Sequence, residues 1–181
     1  VTLDETNNSP YITKSTVKAL LARVYLYMQD WEKARDYATQ VIEDDYLQLS
    51  SAKTKYTSKL THYQYMWKYD SASEIIWKVG FNTTSYGGAL GRVFLNYDNI
   101  SYKPDYVPAS WALNLYDQND LRSESFFAQK TTGYAHGLTW PLLVKYHGNE
   151  DFIKLNIYHV NMPKVFRLSE QYLIRAEAYC H

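Results

Sequence analysis

Thiol chemistry is almost absent from this chain: Cys180 is its only cysteine, so no internal disulfide can staple it. Cys180 lies in an apolar helical run, where a cysteine reads as a packed small hydrophobe rather than a reactive thiol. It is not a lipidation cysteine, which would stand at a mature N-terminus. Glycine (7) and proline (5) are scarce in 181 residues, and with 46% hydrophobic and 21% charged residues the chain reads as globular rather than disordered. Charge of one sign is missing too. Nineteen Lys and Arg balance nineteen Asp and Glu, which excludes the basic surface that a nucleic-acid partner requires. No apolar run approaches the length of a bilayer span. Val1 follows no basic segment and no apolar stretch of a signal peptide, and His181 falls in the middle of a helical pattern. Both observations suggest an internal piece of a longer protein.

Catalytic and metal motifs are also lacking. His62, His136, His147, His159 and His181 are scattered, and none forms His-x-x-x-His or His-Glu-x-x-His. Gly-x-Ser-x-Gly, Gly-x-Gly-x-x-Gly and the phosphate loop do not occur. The Gly87–Gly91 spacing matches a helix-dimer motif, but its surroundings are polar. No metal or other cofactor is implied.

Aromatic residues are what the chain has in excess: 19 Tyr, 5 Trp and 6 Phe. Tyrosine serves both helix packing and amphipathic binding surfaces, so the count does not decide between them.

Helical periodicity is clearest over residues 13–45. Val17, Leu20, Leu21, Val24, Tyr25 and Met28 recur at helical spacing, then Ala34, Tyr37, Ala38, Val41 and Ile42 do so after a break at Gln29-Asp30. Asp30 suits an N-cap, and so short a connection requires antiparallel packing. Leu21, Ala22, Tyr25, Ala34 and Ala38 resemble the small-residue pattern of a tetratricopeptide repeat. Residues 164–179 read as a further amphipathic helix, with Val165, Leu168, Tyr172, Ala176 and Tyr179 on one face. If a further helix normally covers Tyr172, Ala176 and Tyr179, their exposure favours association. Between these ends, Ile75, Trp77, Val79 and Phe81 alternate as in a strand over 74–81. A polar glycine-bearing loop follows over 82–88. Trp111, Ala112, Leu115 and Tyr116 suggest a short helix ending near Asn119, and 124–147 a loose hairpin around Gly133 and Gly137.

The run Arg167-Leu168-Ser169-Glu170-Gln171-Tyr172-Leu173-Ile174-Arg175-Ala176-Glu177-Ala178-Tyr179 closely resembles a signature of the SusD/RagB family. Other stretches resemble that family in order. They are Ala19 to Leu26, Asp30 to Ala34 with Tyr37-Ala38 and Val41-Ile42, Ser73-Glu74-Ile75-Ile76, Asp117-x-x-Asp120-x-Arg122 and Lys145-Tyr146. The resemblance implies one SusD-like domain fragment over 1–181, with a tetratricopeptide-like helix pair at 13–45 and the start of the C-terminal family segment at 74–181. The implied fold is mainly α, with helix pairs, a small β element and long irregular loops. The implied function is non-catalytic capture of an oligosaccharide or other nutrient at the extracellular face of a Gram-negative outer membrane. The parent protein is then a lipoprotein, and its partner a SusC-like TonB-dependent transporter.

Residue chemistry agrees with binding rather than catalysis. Arg167, Glu170, Arg175 and Glu177 read as pairs within a helix stack, where guanidinium forks onto carboxylate. Asp117, Asp120 and Arg122 read as a cap and salt-bridge cluster. A glycosidase requires two carboxylates at a set separation, and no acid here stands in a distinctive motif. Sugars stack C–H faces on rings and direct hydroxyls at polar side chains. Tyr63, Tyr65, Trp67 and Tyr69 alternate, as if on one face of an extended segment. Tyr86 beside Gly87-Gly88, with Asn82 and Arg92 near it in sequence, is the foremost ligand candidate. Trp67, Tyr69 and Tyr102 complete the set, although for any single ring packing is the commoner role. The alternatives are a tetratricopeptide-type scaffold for proteins, a binder of peptide nutrients, or a hydrolase.

Overall fold

The computed structural model describes residues 10–134 and 136–181, so the reading of the segment at Val1 lies outside the described residues. Along them run α1 (Lys14–Tyr27), α2 (Trp31–Ile42), α3 (His62–Tyr69), β1 (Ile75–Lys78), α4 (Arg92–Leu95), α5 (Ser110–Leu113), α6 (Leu121–Phe126), β2 (Phe127–Thr131), β3 (Thr139–Leu143), α7 (Glu150–Ile153), β4 (Lys164–Arg167) and α8 (Leu168–Tyr179). The fold is mainly α with a small β element, as the sequence predicts. None of these helices is long and apolar enough to cross a membrane. The chain gathers into two compact units. The first comprises Val1–Ser50, Ser71–Gly80 and Met162–His181, the second Ser51–Asp70 and Phe81–Asn161.

The first unit is built on α1, α2 and α8. Thr13 opens α1 with a capping box: its hydroxyl accepts from the Thr16 N–H at 3.2 Å, and the Thr16 hydroxyl accepts from the Thr13 N–H at 3.3 Å. Asp30 caps α2 through the Lys33 N–H at 3.2 Å, as its sequence position suggests. Small side chains make the helix contact. Ala22, Ala34, Ala38 and Ala178 are buried together with Ile174, and their lack of bulk lets the backbones come close. The stacked rings of Tyr25 and Tyr37, 5.6 Å apart, close one side. The buried face of α1 is therefore narrower than its apolar stripe. Ala19 and Ala22 turn inward, whereas Val17, Leu20 and Val24 stay exposed.

Two expectations for the C-terminal run are corrected. Lys164–Arg167 is strand β4, antiparallel to β1, and the helix begins only at Leu168. Val165 and Phe166 suit a pleated, half-buried edge, and Arg167 has extended backbone (φ −127°, ψ 151°). Within α8 the buried residues are Leu168, Gln171, Ile174 and Ala178, while Tyr172, Ala176 and Tyr179 are exposed. A second core layer joins Ala19, Val41, Leu47, Ile76, Phe166 and Leu168.

Charges lock this arrangement. Arg23 reaches Glu170 in a bidentate pair (2.6 and 2.7 Å), also donates to the Val165 carbonyl at 2.9 Å, and lies over the Phe166 ring. Glu74 is 2% exposed and accepts from Arg167 at 2.9 Å and from the Ser50 N–H at 2.9 Å. Glu170 and Arg167 thus bind other parts of the unit rather than face solvent as reactive groups.

The second unit is richer in loops. Its hairpin of β2 and β3 pairs Phe127 with Leu143 and Thr131 with Thr139, where the sequence suggests one. Helix α5 stops at Leu113, short of the expected end at Asn119, and Asp120 instead caps α6 while binding Arg122 at 2.6 Å. The alternating rings at 63–69 form a helix, α3, and not an extended segment. Thr61 and Gln64 cap it in a reciprocal box. Helical geometry then sends those rings to different sides in i, i+4 pairs. Gly91 belongs here as well: a Cβ at this position would meet the Tyr146 carbonyl oxygen at 1.7 Å, so close backbone approach, not helix pairing, requires the glycine.

Candidate functional site

Ring chemistry gathers in the second unit. Tyr56, Tyr65 and Tyr69 form a ladder along α3, with centroids 4.1 and 4.4 Å apart and Tyr56 exposed. Burial and the two neighbouring phenols push the Tyr65 hydroxyl up, so it stays protonated as a donor. Lys154 lies 6.0 Å from the Tyr69 ring, at the edge of cation–π range. A second group joins Tyr97 to Tyr102 (4.7 Å) and to Tyr158 (5.8 Å). All of these rings except Tyr56 are half-buried.

The six residues singled out from sequence do not form one cluster. Trp67 is 7% exposed, with Tyr63, Phe126 and Tyr146 in T-shaped contact around it and Lys145 over its face. It is nearly buried among these groups, and what it still exposes lies in the lining of a cavity of the same unit. Tyr69 belongs to the α3 ladder and Tyr102 to the second group. Tyr86 is 47% exposed and tilts against Phe152 at 6.4 Å, which leaves ring surface open to solvent. The Oδ1 of Asn82 is taken up by its own loop, accepting from the Thr84 N–H and hydroxyl and from the Ser85 N–H at 2.6–2.9 Å. Asn82 therefore shapes the loop that carries Tyr86. Phe81 shapes it too, because its ring would lie 2.7 Å from a Cβ at Gly87. Arg92 is exposed on α4, and its charge reaches His159.

His159 is buried at φ +65° and braces two loops. Its Nε2 accepts from the Tyr97 N–H at 2.8 Å, which fixes the proton on Nδ1, 3.3 Å from the His147 carbonyl oxygen. Burial holds this imidazole below its ordinary pKa, with Arg92 adding to the effect. Burial likewise pushes His147 down to about 4. Among the described residues, no three His, Cys, Asp or Glu side chains gather as a metal site would need.

A cavity of about 350 Å³ opens in the same unit, lined by residues of α3, α6 and the hairpin, among them Gln64, Trp67, Ser125 and His147. Sequence reasoning missed it, together with Tyr56 and Tyr158, and did not bring Tyr65 onto Tyr69 or Tyr97 onto Tyr102. The Thr61-x-x-Gln64 capping box was the signal that could have turned 62–69 into a helix and so brought Tyr65 onto Tyr69.

No protein-family model and no curated protein matches this sequence. Solved structures do share its fold. A SusD superfamily protein from Bacteroides thetaiotaomicron VPI-5482 superposes with a TM-score of 0.72 at 24% identity, over 98% of this chain and 39% of that one. A SusD-like carbohydrate binding protein from Bacteroides vulgatus ATCC 8482 gives 0.67 at 21% identity, over 94% of this chain and 34% of its own. Surface glycan-binding protein A from Bacteroides thetaiotaomicron, in complex with laminarihexaose, gives 0.69 at 17% identity, over 99% and 45%. The fold is therefore SusD-like, as the C-terminal signature implies. The chain spans less than half the length of each of these proteins.

Proposed function

We propose that this chain is part of a SusD-like protein that captures an oligosaccharide at the cell surface and releases it chemically intact. The observation that carries the reading is the SusD-like fold with a loop-rich unit displaying tyrosine rings, Tyr86 and Tyr56 foremost. A ring with one open face suits the C–H face of a sugar, and neighbouring hydroxyls and amides suit its polar rim. One similar structure holds laminarihexaose, which makes that β-glucan the natural first probe. In this reading the helix layer of α1, α2 and α8 is a tetratricopeptide-like scaffold, and the loops of the second unit select the ligand. The parent protein is lipid-anchored on the extracellular face of the outer membrane and hands its ligand to a SusC-like TonB-dependent transporter. No covalent step is required.

Calorimetric titration with laminarihexaose and a panel of other oligosaccharides tests this, repeated with Tyr86→Ala. Saturable binding with the glycan recovered unchanged by mass spectrometry is the expected result, at least tenfold weaker in the variant if the ring contributes ~1–3 kcal/mol. Binding that survives the substitution moves the site to the Tyr56–Tyr65–Tyr69 ladder. Shortened products would convert the reading to a hydrolase, and silence across the panel would leave a peptide binder or protein scaffold.

A further inference from the structure

The cavity of the second unit is walled by cations. Lys59, Lys68 and Lys130 line it, and Glu124 is the only carboxylate that does. Lys68 is already engaged, 3.2 Å from Glu150. Lys59 and Lys130 have no ion-pair partner among the described residues. Lys130 instead sits 5.2 Å from the centre of the Tyr102 ring, a member of the second tyrosine group. His147 stays neutral among these charges, and its buried Nδ1 has no hydrogen-bond partner within the described residues. The Gln64 oxygen is occupied by the Thr61 N–H, so its amide hydrogens are what that side chain has left to offer. Unpaired ammonium groups, an amide donor and a neutral imidazole make a donor-rich hollow, complementary to an anion that also has hydroxyl groups. At about 350 Å³ it lies at the small end of ligand clefts and holds a short part of a chain.

We infer that this cavity is a subsite for an acidic sugar, one carrying a carboxylate or a sulfate, within a longer oligosaccharide. The inference rests on the glycan-binding reading and narrows its substrate class. Lysines that line one cavity offer an anionic group charge-assisted hydrogen bonds, stronger than those between neutral groups. A neutral glycan would leave both ammonium groups merely solvated and gain nothing from them.

The test titrates the full 181-residue chain with three probes: trigalacturonate, the neutral trisaccharide obtained by reducing its carboxyl groups, and a sulfated trisaccharide. Tight binding of one or both acidic probes, at least tenfold stronger than the neutral one and weakening as salt rises, is expected. Tighter binding of trigalacturonate assigns the carboxylate, tighter binding of the sulfated probe the sulfate. Lys59→Gln and Lys130→Gln should each weaken acidic binding about tenfold, with melting temperature unchanged, and Lys130→Arg should restore most of it. Equal binding of acidic and neutral probes, unmoved by the lysine variants, overturns the subsite and leaves glycan capture standing. Silence toward all three probes overturns the subsite, while the fate of glycan capture is then read separately from binding of laminarihexaose.

Discussion

Glu74 is a carboxylate that the fold takes into its interior. It is almost fully buried, and its two carboxylate oxygens receive Arg167 and the Ser50 N–H, while its own carbonyl accepts from the Leu168 N–H at 2.9 Å. Removing the acid takes a buried carboxylate away from the Arg167 guanidinium and an acceptor away from the Ser50 N–H. Glu74→Ala should therefore cost about 3 kcal/mol, read as a lower urea midpoint, whereas Glu74→Gln keeps the acceptor oxygen and should cost less. The imidazoles give a second expectation at this scale. An unfolded histidine titrates near 6.5, but His147 is pushed to about 4 and His159 is also lowered. Burial is the main cause for both. For His147 the charges of Lys68 and Lys130 add to it and that of Glu150 opposes it; for His159 the Arg92 charge adds, and its backbone hydrogen bonds oppose. As pH falls below about 6.5 the unfolded chain takes up the protons first, so stability is full above that value and drains away toward pH 4. Urea melts at pH 7.5 and pH 5 should differ by roughly 2 kcal/mol from His147 alone, and His147→Gln should shrink the difference.

Elements were legible in proportion to how local their causes are. The α1–α2 pair could be read because caps, spacing and small residues all sit within thirty-odd positions of sequence, and Asp30 does cap α2. Helix α3 was misread because tyrosines at alternate positions imitate the period of a strand, and the capping box at Thr61 went unread. Strand β4 was misread for a different reason. Its partner β1 lies some ninety residues earlier, with Ile75 opposite Arg167, and no local pattern announces such a pairing. The candidate site suffered most. Tyr86 was singled out from a polar loop that the structure leaves exposed, but the cavity assembles Lys59, Glu124 and His147 from distant stretches that share no motif. At the element scale the alanine interface makes its own prediction. Ala38 is fully buried between Ala22, Ala34 and Ile174. Ala38→Leu has no room for three more carbons, so it should force the helices apart and cost ~1–3 kcal/mol. Ala→Leu on a solvent face of α2, at Glu32 or Gln40 replaced first by Ala, provides the control, and thermal melts followed by circular dichroism compare the two.

At the scale of the whole molecule the two units divide the work: one has the regular helical layer, the other the rings and the cavity. What remains unexplained by either core is the outward stripe of α1. Val17, Leu20, Val24 and Tyr27 recur at helical spacing and are all exposed, Tyr27 at 83%. Single exposed apolar residues are ordinary on a protein surface, but four in register make a continuous band along the helix. Water does not favour leaving such a band open, and in a solution of this chain alone the available cover is a second copy. Sedimentation velocity at rising concentration should show self-association, and Leu20→Lys should suppress it by placing a charge in the middle of the band. Glycan titration of the same variant should be unchanged, because the stripe belongs to the first unit and the candidate ligand residues to the second. A Leu20→Lys chain that still associates would move the interface to the exposed Tyr172, Leu173 and Tyr179 of α8. A variant that stays monomeric but no longer binds glycan would refute the division of labour itself.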